Sequence, residues 1–102
     1  MEKRKPSHDL ERFKVVCGDP YLAQMTQSAR LSAAEIGYAT GDVAALVRTM
    51  DRTMFYKSMT SFADHRRWQD VYHVPTADGM TIYLKFTDDL ITEFMILSFK
   101  EK

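Results

Sequence analysis

Cysteine is nearly absent from this chain. Cys17 is the sole example in 102 residues, and one thiol can neither close an intramolecular disulfide nor complete a cysteine-rich zinc site, so a disulfide-stapled scaffold is excluded and a reducing, cytoplasmic setting is expected. An excess of one charge is missing too. Lys plus Arg and Asp plus Glu each number 14, for a formal net charge of +0. General polyanion binders are basic overall, so any nucleic-acid site here has to be a local basic patch. No apolar run approaches the ~20 residues of a membrane span, and the basic start Met1-Glu2-Lys3-Arg4-Lys5-Pro6 leads into charged residues, so neither insertion nor export is expected. Internal repeats, low-complexity tracts and linkers are lacking as well.

What remains is 45% hydrophobic and 27% charged, which fits one compact domain over residues 1–102. The first six residues, charged and without apolar anchors, are expected to form a loosely held arm. Leu10, Phe13, Val16 and Cys17 recur at helical spacing, with Ser7 as a cap and Gly18-Asp19-Pro20 as a stop. A second helix is expected between about Thr26 and Gly37, in which Ser32-Ala33-Ala34-Glu35 reads as a capping box or as Ala-rich interior. Thr40 or Asp42 can cap a third, whose Val43, Leu46, Val47 and Met50 form the stripe of a helix lying on a core.

After Met54 the period changes from helical to alternating. Four strands are expected, at Phe55 to Ser61, Gln69 to Val74, Thr81 to Phe86 and Thr92 to Phe99. The connections Asp64-His65-Arg66-Arg67, Thr76-Ala77-Asp78-Gly79 and Thr87-Asp88-Asp89 are short and rich in turn formers, which makes neighbouring strands antiparallel. The fold class is therefore α+β: N-terminal helices packed on one face of an antiparallel meander, with the other face open for a site.

Alternation assigns Ile82, Leu84 and Phe86 to the core and Thr81, Tyr83 and Lys85 to the open face. If Met95, Leu97 and Phe99 join the core, Lys100 emerges beside Tyr83 and Lys85. Lys57 shares a face with Phe55 and Met59, and Gln69 starts the next strand, so either can border the same surface. A cluster of Lys57, Gln69, Tyr83 and Lys100 suits cleavage of an RNA backbone, in which the 2′-hydroxyl attacks its own phosphate and negative charge grows on the phosphoryl oxygens. A lysine, with an ordinary pKa near ~10.4, is a poor base unless neighbouring cations lower it. Taken singly, each of these residues also fits a solvated surface group or a snorkelling aromatic.

Other candidates carry less. His8, His65 and His73 lack metal-ligand spacing, so no metal site and no cofactor are expected. His73 could donate a proton to a leaving oxygen or be a hydrogen-bonded structural residue. Asp88-Asp89, Asp64 and Asp70 read as turn residues. Phe62 and Trp68 bracket Arg66-Arg67, an arrangement that can stack bases and hold phosphates or simply pin a loop. The methionines Met50, Met54 and Met59 are read as core filler.

The string Phe55-Tyr56-Lys57-Ser58-Met59-Thr60, then Asp64-His65, Trp68-Gln69-Asp70-Val71-Tyr72, Tyr83-Leu84-Lys85 and the ending Ser98-Phe99-Lys100-Glu101-Lys102, closely resembles the motility quorum-sensing regulator (MqsR) toxins. Met1-Glu2-Lys3-Arg4 extends the likeness to the whole chain. The resemblance implies a RelE-like fold and a metal-independent messenger-RNA endoribonuclease, selective for GCU-type sites and needing no ribosome. It implies Lys57, Gln69, Tyr83 and Lys100 as active residues, and Tyr56 and Met59 as contributors to RNA positioning. Lys85 and His73 are further candidates for substrate binding. Strand alternation sets Tyr56 opposite Lys57 unless a bulge intervenes. The resemblance further implies a cognate MqsA-type antitoxin with zinc-binding and helix-turn-helix domains. His73 departs from the family pattern, where arginine follows Gln-Asp-Val-Tyr. Two other readings stand beside this one: a regulatory protein that grips RNA or a partner without cutting, and a purely structural interaction module.

Overall fold

The computed structural model describes all 102 residues. Five antiparallel strands run in sheet order β1 (Glu2–Lys3), β2 (Phe55–Thr60), β3 (Trp68–Pro75), β4 (Thr81–Asp89) and β5 (Glu93–Glu101). Three helices, α1 (Leu10–Cys17), α2 (Gln27–Glu35) and α3 (Thr40–Arg48), lie on one face of the sheet. The α+β architecture expected from the segregation of periods is what forms.

The helices follow their apolar stripes. Leu10, Phe13, Val16 and Cys17 of α1 are buried, and the Phe13 ring stacks on Phe86 of β4 with centroids 3.7 Å apart. The cap of α1 is Asp9, whose carboxylate accepts from the Arg12 N–H; Ser7, expected in that role, instead bonds across to β3. Thr26 caps α2 by accepting from Ala29 N–H. Gly37, with φ +86°, ends it: its N–H reaches Ala34 and that of Tyr38 reaches Ala33, a closure that needs a left-handed residue. Ala39 occupies the cap of α3, and the Asp42 carboxylate accepts from its N–H at 2.9 Å.

Three further expectations are corrected. Residues 2–3 are not a loose arm but a fifth strand, with Glu2 opposite Met59 and Lys3 opposite Ser58. Behind that strand, the fully buried Asp70 carboxylate accepts from the backbone N–H groups of Ser7 and His8 at 2.9–3.1 Å and from the Ser58 hydroxyl at 2.7 Å. Asp70 is therefore an anchor for the N-terminus rather than a turn residue. Second, β4 continues through Asp88 and Asp89, and the turn falls at residues 90–92, where Asp89 accepts from Ile91 and Thr92. Third, the core residues of β5 are Phe94, Ile96 and Phe99, while Met95 and Leu97 lie outside the main core cluster. The pairing skips from Lys85 with Ser98 to Phe86 with Ile96, so Leu97 is an extra residue that reverses the alternation.

Both sheet edges are blunted. The outer strand β1 is two residues long, and β5 receives Met25 as a parallel bridge, with Thr26 N–H bonded to Ile96 and Ile96 N–H to Gln24. Such devices keep an edge from pairing with another chain.

Candidate active site

No helix covers the second sheet face, so its side chains are set by strand register alone. One row runs Lys57, Val71, Lys85, Ser98 across β2 to β5, and the next runs His73, Tyr83, Lys100 across β3 to β5. Beyond them Glu2, Met59 and Gln69 form a third row across β1 to β3. All four residues expected to be active and all four substrate-binding candidates thus meet on this face or at its border.

Tyr56 arrives by a bulge. The register jumps from Phe55 with Tyr72 to Lys57 with Val71, which frees Tyr56 to stack on His73 with ring centroids 4.3 Å apart. His73 lies 6.0 Å from Tyr83 in turn. Cations border this aromatic file at several points: Arg4 and Lys57 each approach the Tyr56 ring at 5.4 Å, and Lys100 Nζ approaches the Tyr83 ring at 5.4 Å. Arg4, brought in by β1, has no counterpart in the sequence-based expectation. Its signal would have been the strand itself, and two residues are too few to show a period.

The lysines differ in their surroundings. Lys57 is only 17% exposed and forms an ion pair with Glu2 at 3.3 Å. Lys85 is half-buried and has no carboxylate partner; burial, then the positive charges of Lys100 and Lys57, push its ammonium below the ordinary lysine range. Lys85 is therefore the lysine whose surroundings, burial first and neighbouring cations second, favour the neutral amine. Burial and the charge of Lys102 likewise lower the His73 imidazole, which favours the neutral ring that stacks on Tyr56.

Gln69 adds an acceptor. Its Oε1 is shielded from solvent and no protein donor reaches it, a state that costs about 1–3 kcal/mol unless a bound group supplies the hydrogen bond. Elsewhere the candidates disperse: Phe62 is fully exposed, Arg67 is engaged by Asp88, and Trp68 lies under Lys3 at 4.2 Å. His8 bonds the Trp68 carbonyl at 2.8 Å through Nε2. No three His, Cys, Asp or Glu side chains gather as metal ligands, and no helix is long and apolar enough to cross a membrane.

Three helices on one side of an antiparallel sheet, and clustered lysines with a tyrosine on the other, define a small α+β protein of the RelE-like kind. Residues 5–101 match the model of the family described as motility quorum-sensing regulator, toxin of MqsA, and the chain belongs to that family. It is 38% identical over 102 residues, 100% of both chains, to the mRNA interferase toxin MqsR of Escherichia coli (strain K12).

Proposed function

We propose that the chain is an endoribonuclease that cuts messenger RNA at GCU-type sites, as the toxin of a type II toxin–antitoxin pair that inhibits translation and growth in the cytoplasm. The 2′-hydroxyl attacks the adjacent phosphate, leaving a 2′,3′-cyclic phosphate and a 5′-hydroxyl. The observation that carries this reading is the convergence of Lys57, Lys85, Lys100 and Tyr83 on one uncovered sheet face. Fixed ammonium groups there can meet the charge that grows on a five-coordinate phosphorus, the role a metal ion plays in other nucleases. The Tyr56–His73 stack offers bases an aromatic surface, and the orphaned Gln69 acceptor offers a hydroxyl or amine a partner. The cognate partner is an MqsA-type antitoxin with zinc-binding and helix-turn-helix domains, the zinc belonging to that partner.

The test is incubation of purified protein with a defined RNA carrying one GCU, in excess EDTA and without ribosomes, followed by mapping of both ends. Cyclic phosphate and 5′-hydroxyl termini are expected. Retarded but full-length RNA would favour a binding-only regulator, and cleavage lost in chelator would overturn the metal-independent mechanism.

Glu2 competes with RNA for Lys57. Glu2→Gln is expected to tighten RNA binding by no more than about fivefold, because an ion pair whose carboxylate is open to solvent contributes only ~0–1 kcal/mol. Dissociation constants from fluorescence anisotropy check this, and weaker binding by the variant would contradict it.

A further inference from the structure

We propose that Lys85 is the general base of this face, taking the proton of the attacking 2′-hydroxyl, while Lys57 and Lys100 enter the reaction as ammonium ions that hold the phosphate. The inference rests on the endoribonuclease reading above and assigns a role that reading leaves open.

Position is the first argument. Lys85 lies in the middle of the open face, on β4, with Val71 directly opposite on β3 and Ser98 directly opposite on β5. Lys57 lies beyond Val71 in the same row, and Lys100 lies one row over, opposite Tyr83. A phosphate held between Lys57 and Lys100 therefore rests above Lys85.

Pairing is the second. The groups that face Lys85 are Lys57 on β2, Gln69 and His73 on β3, Tyr83 on its own strand and Lys100 on β5, with Glu2 of β1 behind Lys57. The one carboxylate among them, Glu2, is taken up by its ion pair with Lys57. Lys85 is left half-buried among cations and without an anion, and those surroundings favour the neutral amine. A neutral amine has the lone pair a base needs, which its two cationic neighbours lack.

The step balances as a transesterification. The 2′-O–H proton passes to Lys85 Nζ as the 2′-oxygen forms its bond to phosphorus. The P–O5′ bond breaks, and the 5′-oxygen takes a proton from the Lys100 ammonium. Lys85 then returns its proton to solvent and Lys100 regains one, with no oxidant, reductant or other co-reactant consumed.

The experiment compares wild type, Lys85→Arg and Lys85→Gln in single-turnover cleavage of the same GCU-containing RNA between about pH 6 and pH 9.5. Wild-type rate is expected to rise with pH and level off below the ordinary lysine range. Lys85→Arg carries a permanent positive charge and cannot act as a base, so it should lose about 100-fold or more in rate while binding a 2′-deoxy analogue of the RNA within a few-fold of wild type. Lys85→Gln should be as slow. A 5′-bridging phosphorothiolate substrate, whose leaving group needs no proton, should leave both variants slow; rescue by it would assign Lys85 to acid catalysis and overturn the proposal. Near wild-type cleavage by Lys85→Arg would also overturn it, showing that only charge matters, while leaving the endoribonuclease reading intact. Wild-type protein that cuts nothing would remove both. Superimposable circular dichroism spectra establish that the variants fold.

Discussion

Replacing Lys100 or Lys57 by alanine is expected to slow RNA cleavage by about 100- to 1,000-fold and to abolish growth inhibition, with the melting temperature nearly unchanged. Each lysine projects from the sheet face opposite the core, so truncation removes charge and leaves the packing of Phe13, Phe86, Phe94 and Phe99 untouched. The predicted size follows from the timing of the charge: a fixed ammonium gains most where phosphoryl oxygens become more negative. The two sites should differ in one respect. Lys57→Ala also releases Glu2 from its ion pair, leaving an unneutralised carboxylate at the edge of the face, so RNA affinity should fall further than in Lys100→Ala. Single-turnover rates, RNA dissociation constants and colony formation on induction test this together. Full toxicity in either soluble variant would remove that lysine from the mechanism.

Much of this face could be read from the sequence, because strand alternation is a local rule. Tyr83 and Lys85 were assigned to the open face from β4 alone, and α3 from a stripe of four residues. Lys100 reaches that face by a different route from the expected one. The expected core set Met95, Leu97 and Phe99 assumed unbroken alternation, whereas the extra residue Leu97 puts Phe94, Ile96 and Phe99 inside and still brings Lys100 out beside Tyr83. The bulge that carries Tyr56 to His73 was anticipated only as a condition. A bulge is a property of two paired strands, and a single strand read alone does not announce it.

Non-local partners were illegible for a related reason. Asp70 follows Gln69 in a run that reads as a strand, and nothing nearby reveals that its acceptors will be claimed by amides 62 and 63 residues away. Arg4 and Glu2 enter the site only because that anchor holds β1 in place. The turn at residues 90–92 was misplaced because Asp88-Asp89 has turn composition, yet Asp89 acts from the strand end by bonding the turn's N–H groups.

Asp70→Ala is expected to be the most destabilising polar substitution in the chain, at about 3 kcal/mol, because hydrogen bonds to charged groups contribute ~1.5–3 kcal/mol each and do not add fully. Removing the carboxylate strands the Ser7 and His8 N–H groups and deprives the buried Ser58 of an acceptor. For a chain of this size the melting temperature should fall by about 12 °C or more. The loss should also be directional. With residues 7 and 8 unanchored, β1 loses its tether, and amide exchange should accelerate first at Thr60, whose N–H bonds the Met1 carbonyl. Release of β1 takes Arg4 from Tyr56 and Glu2 from Lys57, so a change at a buried residue on the core side alters the charge of the opposite face. Asp70→Asn, which keeps the shape but turns one acceptor into a donor, should lie between alanine and wild type. Denaturation midpoints with residue-resolved hydrogen exchange check the sequence of events; an Asp70→Ala protein that melts like wild type and keeps Thr60 protected would show that the N-terminal strand is held by other means.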